Sequence, residues 1–105
     1  MNKVIVIHKA YEDPAEVVAK VDVGDLEGNA ALEYAYRSTN NIEDSWIKNE
    51  NVKYLGKDPL VEGGSRSTSV GDLLLFKGGP SKFRKGDLFE VKKYGFGLVK
   101  EKEEV

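Results

Sequence analysis

The stretch VVAKVDVGDLEGNAALEYAYRST, residues 17–39, decides the fold, because a strand pattern and a helix pattern follow each other within it. Apolar and polar side chains alternate in its first part, and the alternation separates two sets: Val17, Ala19, Val21 and Val23 on one side, Lys20 and Asp22 on the other. A period of two is typical of a half-buried strand. A helix over residues 14–21 is the alternative, but the strict alternation and the two adjacent valines favour the strand.

The second part contains the clearest helix pattern of the chain, over residues 29–39. Its apolar side chains recur at spacings of three and four residues and so share one face: Leu32, Ala35 and Tyr36. Asp25 and Asn29 are both of residue types that cap helix N-termini, so either is expected as the cap. The run STNN, residues 38–41, has a low helix propensity and is expected to end the helix.

Further strand patterns lie on both sides of this unit. They are expected at residues 3–9, 52–55, 72–76, 88–91 and 95–99. Runs of strands around one helix indicate an α+β fold, in which a small twisted, mostly antiparallel sheet packs against one main helix. We assign residues 1–100 to a single domain, because 105 residues leave no room for a second one, and residues 101–105 to a solvated, charged tail.

The composition excludes several classes of protein. The chain has no cysteine, which excludes disulfides and thiolate chemistry, and its hydrophobic content of 40% is that of a folded domain. The apolar run at residues 4–7 is too short for the core of a signal peptide, and no stretch approaches the ~20 apolar residues that a membrane helix needs. We therefore expect a cytoplasmic protein that does not enter a membrane.

The charges are distributed unevenly, although the net charge is only −2. Residues 11–33 contain seven acids and one base, whereas residues 77–100 contain seven bases and two acids. Two interpretations follow from this asymmetry. Either the acidic and basic segments lie near each other and attract across the surface, or one of them meets a charged partner.

No catalytic or metal-binding pattern is found in the sequence. His8 is the only histidine, and no nearby residue supplies the nucleophile or carboxylate that a catalytic histidine needs, so we expect a strand-face histidine. The acid pairs at residues 12–13 and 43–44 lack the spacing of metal ligands. The segment GGSRSTS, residues 63–69, lacks the pattern of a phosphate-binding loop. We expect no enzyme activity, no cofactor and no metal.

The C-terminal third combines basic and aromatic residues, which is the pattern of many single-stranded nucleic-acid binders. They fall on a loop and near the following turn: Lys82, Phe83, Arg84 and Lys85, then Lys92, Lys93 and Tyr94. Two observations oppose this interpretation. The chain as a whole is acidic, whereas nucleic-acid-binding domains are usually basic. Phe89 and Phe96 are also more simply explained as core residues.

Three segments taken in order resemble a known family. They are ALEYAYRSTNNIEDSW at residues 31–46, RSTSVGDLLLF at residues 66–76 and FEVKKYGFGLV at residues 89–99. Together they resemble the YodL-like domain and related small proteins of phages and mobile elements, and the matching positions are Asn41, Ile42, Ser67, Ser69, Val70, Gly71, Asp72, Tyr94, Gly95 and Phe96. The resemblance implies an accessory protein, often phage-borne, that acts by contacting other macromolecules. It implies no catalytic residues.

The middle segment of this resemblance also has a physical interpretation. The hydroxyls of residues 67–69 can bond to their own backbone and fix a tight turn into the next strand. Gly71 permits a φ angle that a side chain would disfavour, and Asp72 can accept hydrogen bonds from neighbouring amides. These roles are structural.

We therefore expect a small non-enzymatic accessory protein, phage-encoded, that binds and modulates a host or phage protein. The alternative is a single-stranded nucleic-acid-binding module that uses the basic, aromatic C-terminal strands. Because Trp and Arg are enriched in binding hot spots, the expected partner-binding residues are one tryptophan and four loop bases: Trp46, Arg66, Lys82, Arg84 and Lys85. A core position for Trp46 is equally compatible with the sequence, which also leaves the oligomeric state open.

Overall fold

The computed structural model describes residues 2–41, 46–56, 66–77 and 87–99. Its elements, in chain order, are β1 (Asn2–His8), β2 (Glu16–Gly24), α1 (Gly28–Ser38), a single 3-10 turn (Trp46–Lys48), β3 (Val52–Tyr54), β4 (Leu73–Lys77), β5 (Leu88–Val91) and β6 (Phe96–Leu98). Each predicted strand is confirmed to within two residues at either end. The predicted tail, residues 101–105, lies outside the described residues.

The strands form one sheet in the order β3-β2-β1-β4-β5-β6, and all neighbouring pairs are antiparallel. One helix and one antiparallel sheet confirm the predicted α+β fold. Because β1 lies between β2 and β4, the residues that follow it meet the segment that leads into β4. Among the described residues, no helix has the length and apolarity needed to cross a membrane.

The core lies between α1 and one face of the sheet. Alternate side chains of the strands point to this side and pack against the buried face of the helix, and the most central ones are Val4, Val6, Val21, Ala31, Leu32, Ala35, Leu74 and Phe76. Burying a large aliphatic or aromatic side chain stabilises the fold by ~1.5–3 kcal/mol. The helix contacts β1, β2 and β4, which places it over the centre of the sheet.

A β-bulge in β2 corrects one part of the predicted alternation. Val6 pairs with Ala19 and Ile7 pairs with Val17, which leaves Val18 as an extra residue between the two pairs. An extra residue puts two consecutive side chains on the same face. Val18 and Ala19 are therefore both buried, whereas Val17 is 45% exposed. The prediction that Val17 shares the buried side was wrong.

The ends of α1 differ in how well they were predicted. The residue that caps its N-terminus is Glu27, in an extended conformation and without a side-chain hydrogen bond, so the predicted caps Asp25 and Asn29 were both wrong. Gly28, with a φ of +59°, turns the chain into the helix and leaves Asn29 inside the first turn. The C-terminus is confirmed, because α1 ends at Ser38 with Thr39 as its C-cap, and the Thr39 hydroxyl donates to the carbonyl oxygen of Ala35.

Candidate functional site

Asp72 is completely buried where the chain enters β4. Its Oδ1 accepts hydrogen bonds from the backbone N–H groups of Lys9 at 2.8 Å and Ala10 at 2.9 Å, and its Oδ2 accepts one from Ser69 at 2.8 Å. Gly71 takes a φ of +98°, and a Cβ at this position would lie 3.1 Å from the Cβ of Ala10. The predicted structural roles of Gly71 and Asp72 are confirmed.

Arg66 uses all five of its N–H donors within the protein. Two go to Asp72, from Nη1 to Oδ2 at 2.7 Å and from Nη2 to Oδ1 at 2.8 Å. Two go to Glu12, from Nε to Oε2 at 3.0 Å and from Nη2 to Oε1 at 2.7 Å. The fifth goes from Nη1 to the backbone carbonyl of Ser67 at 3.0 Å. The exposed ring of Tyr11 covers the guanidinium at 4.9 Å. Arg66 has no N–H donor left for a partner.

These contacts shift the ionisation of the groups involved. Burial of Asp72 opposes its ionisation, but hydrogen bonds from Arg66 and from three backbone amides outweigh that effect and lower its pKa to about 2. The hydrogen bonds from Arg66 likewise lower the pKa of Glu12. The hydrogen bonds with Asp72 raise the pKa of Arg66, so all three groups are charged at neutral pH.

His8 lies next to this ion-pair cluster, on the helix-facing side of β1, and is buried. Its Nε2 is 3.1 Å from the Thr68 hydroxyl and 4.0 Å from Oδ2 of Asp72. The Thr68 hydroxyl donates to the Thr39 hydroxyl at 2.8 Å, which donates to Ala35. Since a hydroxyl has one proton, Thr68 must accept from His8, and Nε2 therefore carries a hydrogen. The predicted strand-face histidine is confirmed, with polar partners that local sequence does not show.

Burial lowers the pKa of His8, and the charge of Arg66 lowers it further, against opposing effects of Asp72, Glu12 and Glu16. The imidazole is therefore neutral at pH 7. A neutral His8 that presents an N–H to Thr68 cannot accept the proton of that hydroxyl, as a general base in nucleophilic catalysis must. Thr68 is itself buried. The cluster thus ties β1, the end of α1 and the start of β4 together, and it provides no activated nucleophile at Thr68.

Trp46 has an exposed fraction of 0%. Its Nε1 donates to the backbone carbonyl of Arg66 at 2.8 Å, and its ring makes edge contacts with His8 at 6.2 Å and Tyr54 at 5.8 Å between ring centroids. The structure therefore shows the core alternative for Trp46 and brings it together with Arg66. The other three predicted partner-binding residues, Lys82, Arg84 and Lys85, lie outside the described residues.

The side of the sheet opposite α1 has apolar side chains across four strands, and we call this side the open face. Its apolar members are Ile5, Ile7, Val17, Leu73, Leu75 and Leu88. They form two rows: Val17, Ile7 and Leu73 are cross-strand neighbours, and so are Ile5, Leu75 and Leu88. Val17 is 45% exposed, and the other five are partly buried. In the described part of the chain, α1 and the 3-10 turn pack on the opposite side of the sheet.

Lysines border the open face at one end. Lys20 lies directly opposite Lys53 in the β2–β3 pair, and Lys3 lies directly opposite Lys77 in the β1–β4 pair. Like charges in directly opposed positions destabilise a sheet. A cavity of about 290 Å³ is found here, and it is lined by Lys3, Lys20, Asp22, Glu50, Asn51, Val52 and Lys53.

The aromatic residues of the C-terminal strands are mostly in the core. Phe89 is buried, and Phe96 packs edge-on against Tyr36 with ring centroids 6.2 Å apart. Tyr94 is the exception, with 87% of its surface exposed at the turn between β5 and β6 and with the ammonium of Lys93 5.7 Å from its ring. Among the described residues of the predicted stacking surface, Tyr94 alone presents a largely exposed ring, and Phe83 lies outside the described residues.

Within the described ranges, no three His, Cys, Asp or Glu side chains are grouped so that they could hold a metal ion. Comparison of the chain with protein-family models, with curated proteins and with solved structures finds no match. The resemblance to the YodL-like domain therefore stays a prediction.

Proposed function

We propose that this protein is a non-enzymatic accessory protein of the cytoplasm that binds and modulates another protein through its open face. The observation that supports the proposal most directly is the apolar surface across β2, β1, β4 and β5, with Val17 45% exposed beside Ile7 and Leu73. Contiguous exposed apolar surface is typical of protein–protein contact sites. The resemblance to the YodL-like domain adds the expectation that the partner belongs to a phage or its host.

The polar cluster supports a binding role over an enzymatic one. A reactive site needs groups that can reach a substrate, but His8, Thr68 and Asp72 are all buried and bonded to each other or to the backbone. Arg66 is the member nearest to the surface, and its donors are all in use. Such a cluster fixes the relative positions of β1 and β4, on which most of the open face is built.

A matched set of variants tests the proposal. Ile5→Thr combined with Leu75→Thr makes two opposed positions of the open face polar while it keeps a residue with good strand propensity at Ile5. Leu26→Thr with Tyr34→Thr makes the same kind of change at exposed positions away from this face. Val17→Thr is the mildest variant, because Val17 is already exposed.

Each variant and the original chain are used to capture proteins from nuclease-treated host-cell lysate, followed by mass spectrometry. Circular dichroism confirms that each variant is folded. The proposal expects one protein that is retained by the original chain and by the Leu26/Tyr34 control and is lost with the Ile5/Leu75 and Val17 variants. Equal capture by all four proteins would show that the open face is not the binding surface.

Single-stranded nucleic-acid binding is the second candidate, and the exposure of Tyr94 beside Lys92 and Lys93 is what favours it. It predicts that an unstructured oligonucleotide binds at low salt, that affinity falls steeply as salt is added, and that Tyr94→Ala weakens binding. Contacts with phosphates are strongest at low salt. No binding of the oligonucleotide at a salt concentration on the order of 20–50 mM would therefore remove this candidate.

A further inference from the structure

Resting on the proposed function, we infer that the docking segment of the partner protein is acidic and that its carboxylates bind in the cavity lined by Lys3, Lys20 and Lys53. This cavity lies at the border of the open face. The apolar rows would contact the apolar part of the segment, and the lysines would contact its charges.

The pairing of Lys20 with Lys53 is the first argument. Both side chains are exposed, and no carboxylate among the described residues forms an ion pair with either of them, whereas Lys3 is paired with Asp22 at 3.1 Å. Two opposed ammonium groups on a sheet are unfavourable unless an anion lies between them. The fold thus places two cations next to each other with no described carboxylate in ion-pair contact with them, and an acidic side chain of the partner would supply that contact.

The position of the cavity is the second argument. Ile5 on β1 lies between Lys20 on β2 and Leu75 on β4. One row of the sheet therefore runs from Lys53 and Lys20 to apolar side chains. Two carboxylates, Asp22 and Glu50, also line the cavity. Asp22 is already bonded to Lys3 and to the N–H of Gly24, and Glu50 forms no ion pair with Lys20 or Lys53. Three lysines against two carboxylates leave the cavity with one excess positive charge.

Charge also decides between the classes of occupant. A second copy of this chain, stacked face to face with its strands in the same direction, would bring the lysines of both copies together: Lys3, Lys20, Lys53 and Lys77 of each. Nucleic acid would find phosphate partners here, but it would place its bases on aliphatic side chains, whereas bases stack on aromatic rings in single-strand binders. An acidic protein segment with apolar residues matches both the lysine and the apolar parts of the face.

The test is an NMR titration of the full-length, ¹⁵N-labelled chain with a hexaglutamate peptide at low salt. The expected result is saturable shifts that are largest for the amides of Lys20, Asn51 and Lys53. Lys20→Gln with Lys53→Gln removes the two unpaired charges, and we expect it to weaken binding roughly tenfold, from two surface contacts of ordinary strength. Arg37→Gln with Lys9→Gln removes the same charge at exposed positions away from the cavity, and binding should stay within about twofold of the original.

Two results would overturn the inference. One is a loss of affinity that is equal in the two double variants, since it would show attraction to net charge alone. The other is tighter binding of a ten-nucleotide oligothymidylate than of the peptide, with shifts of the same amides. That result would assign the cavity to nucleic acid. Hexaglutamate has no apolar side chains, so a peptide that does not bind would contradict only the inferred lysine site. Loss of the captured protein in the Ile5→Thr/Leu75→Thr variant would still support the open face, so the two proposals can fail separately.

Discussion

Arg66 and Asp72 form a two-pronged ion pair, with N–O distances of 2.7 and 2.8 Å, between a half-buried guanidinium and a completely buried carboxylate. Through Glu12 the same guanidinium also holds the loop between β1 and β2. The guanidinium of Arg66 therefore joins Glu12, which is 54 residues away in sequence, to Asp72, which is 6 residues away. Removing one partner of a buried ion pair leaves the other charge without compensation, which costs far more than the pair as a whole contributes.

Replacing Asp72 by asparagine should lower the free energy of unfolding by about 3 kcal/mol, because an amide nitrogen would replace a buried oxygen that accepts from Arg66 and from the backbone, and Arg66 would keep only Glu12 as an anionic partner. Urea denaturation followed by circular dichroism measures this change. Glu33→Gln is the control, since Glu33 forms an exposed ion pair with Arg37 on α1, and its loss should change stability by ~0.5 kcal/mol or less. Similar effects for the two variants would contradict the central role of the buried pair.

Stability should fall steeply in acid. Asp72 has a pKa of about 2 in the folded chain against an ordinary value of 3.8, so the unfolded chain binds more protons between these pH values. The stabilisation from its charge is complete above about pH 4 and is lost as pH falls towards 2, and it amounts to about 2 kcal/mol. Urea midpoints measured from pH 2 to 7 should show this slope, and Asp72→Asn should flatten it. An unchanged slope in the variant would assign the acid sensitivity to other carboxyl groups.

His8 should add a second, separate slope near neutral pH. Its pKa is lowered in the folded chain below the ordinary value of 6.5, mainly by burial, so the unfolded chain again binds more protons. The free energy of unfolding therefore has its full value with respect to His8 above about pH 6.5 and decreases as the pH falls below that value, because protons bind preferentially to the unfolded chain. Proton NMR of the imidazole should show a titration midpoint below 6.5 in the folded chain, and titration at an unshifted pKa would contradict its burial.

The hydroxyl of Thr68 should contribute to stability through the chain from His8 to Thr39. Thr68→Val keeps the shape but leaves the N–H of His8 without an acceptor in a buried site, which should cost ~1–3 kcal/mol. Thr68→Ser restores the hydroxyl and should recover most of that polar contribution. Thermal unfolding of the two variants separates loss of the hydrogen bond from loss of packing. A Thr68→Val variant as stable as the original chain would mean that the hydroxyl does not contribute, and a Thr68→Ser variant less stable than Thr68→Val would assign the larger contribution to the methyl group.

Trp46 is the only tryptophan, so its fluorescence reports on one site. Because its ring is fully buried, the folded chain should emit at short wavelength and resist quenching by iodide, and both properties should be lost on unfolding. Trp46→Phe keeps an aromatic ring but removes the hydrogen bond to the carbonyl of Arg66, which should cost ~1–2 kcal/mol. Efficient quenching in the folded chain would restore Trp46 as a surface binding residue.

The elements of this fold were predictable wherever a local pattern carries the structural information. Alternation identified β1 and β2, the apolar run at residues 73–75 identified β4, and the run of poor helix formers after Arg37 identified the end of α1. Gly71 and Asp72 were also predictable, because glycine readily takes a positive φ in a turn and an aspartate can accept hydrogen bonds from nearby backbone amides. The consecutive apolar residues at positions 4–7 could have indicated a second apolar face on the sheet.

The local sequence by itself thus determined which segments are strands, where the helix lies and how the turn before β4 is built, because these depend on residues within a few positions of each other. Only the tertiary structure decided that Glu12, Arg66 and Asp72 share one site, that His8 meets Thr68 across 60 residues, and that Trp46 is in the core. Strand order brings these groups together, and the bulge at Val18 decides which side chains of β2 are buried; both depend on pairing between distant segments. The opposition of Lys20 and Lys53 has the same origin, since the register of β2 and β3 is fixed by the pairing and not by either strand alone.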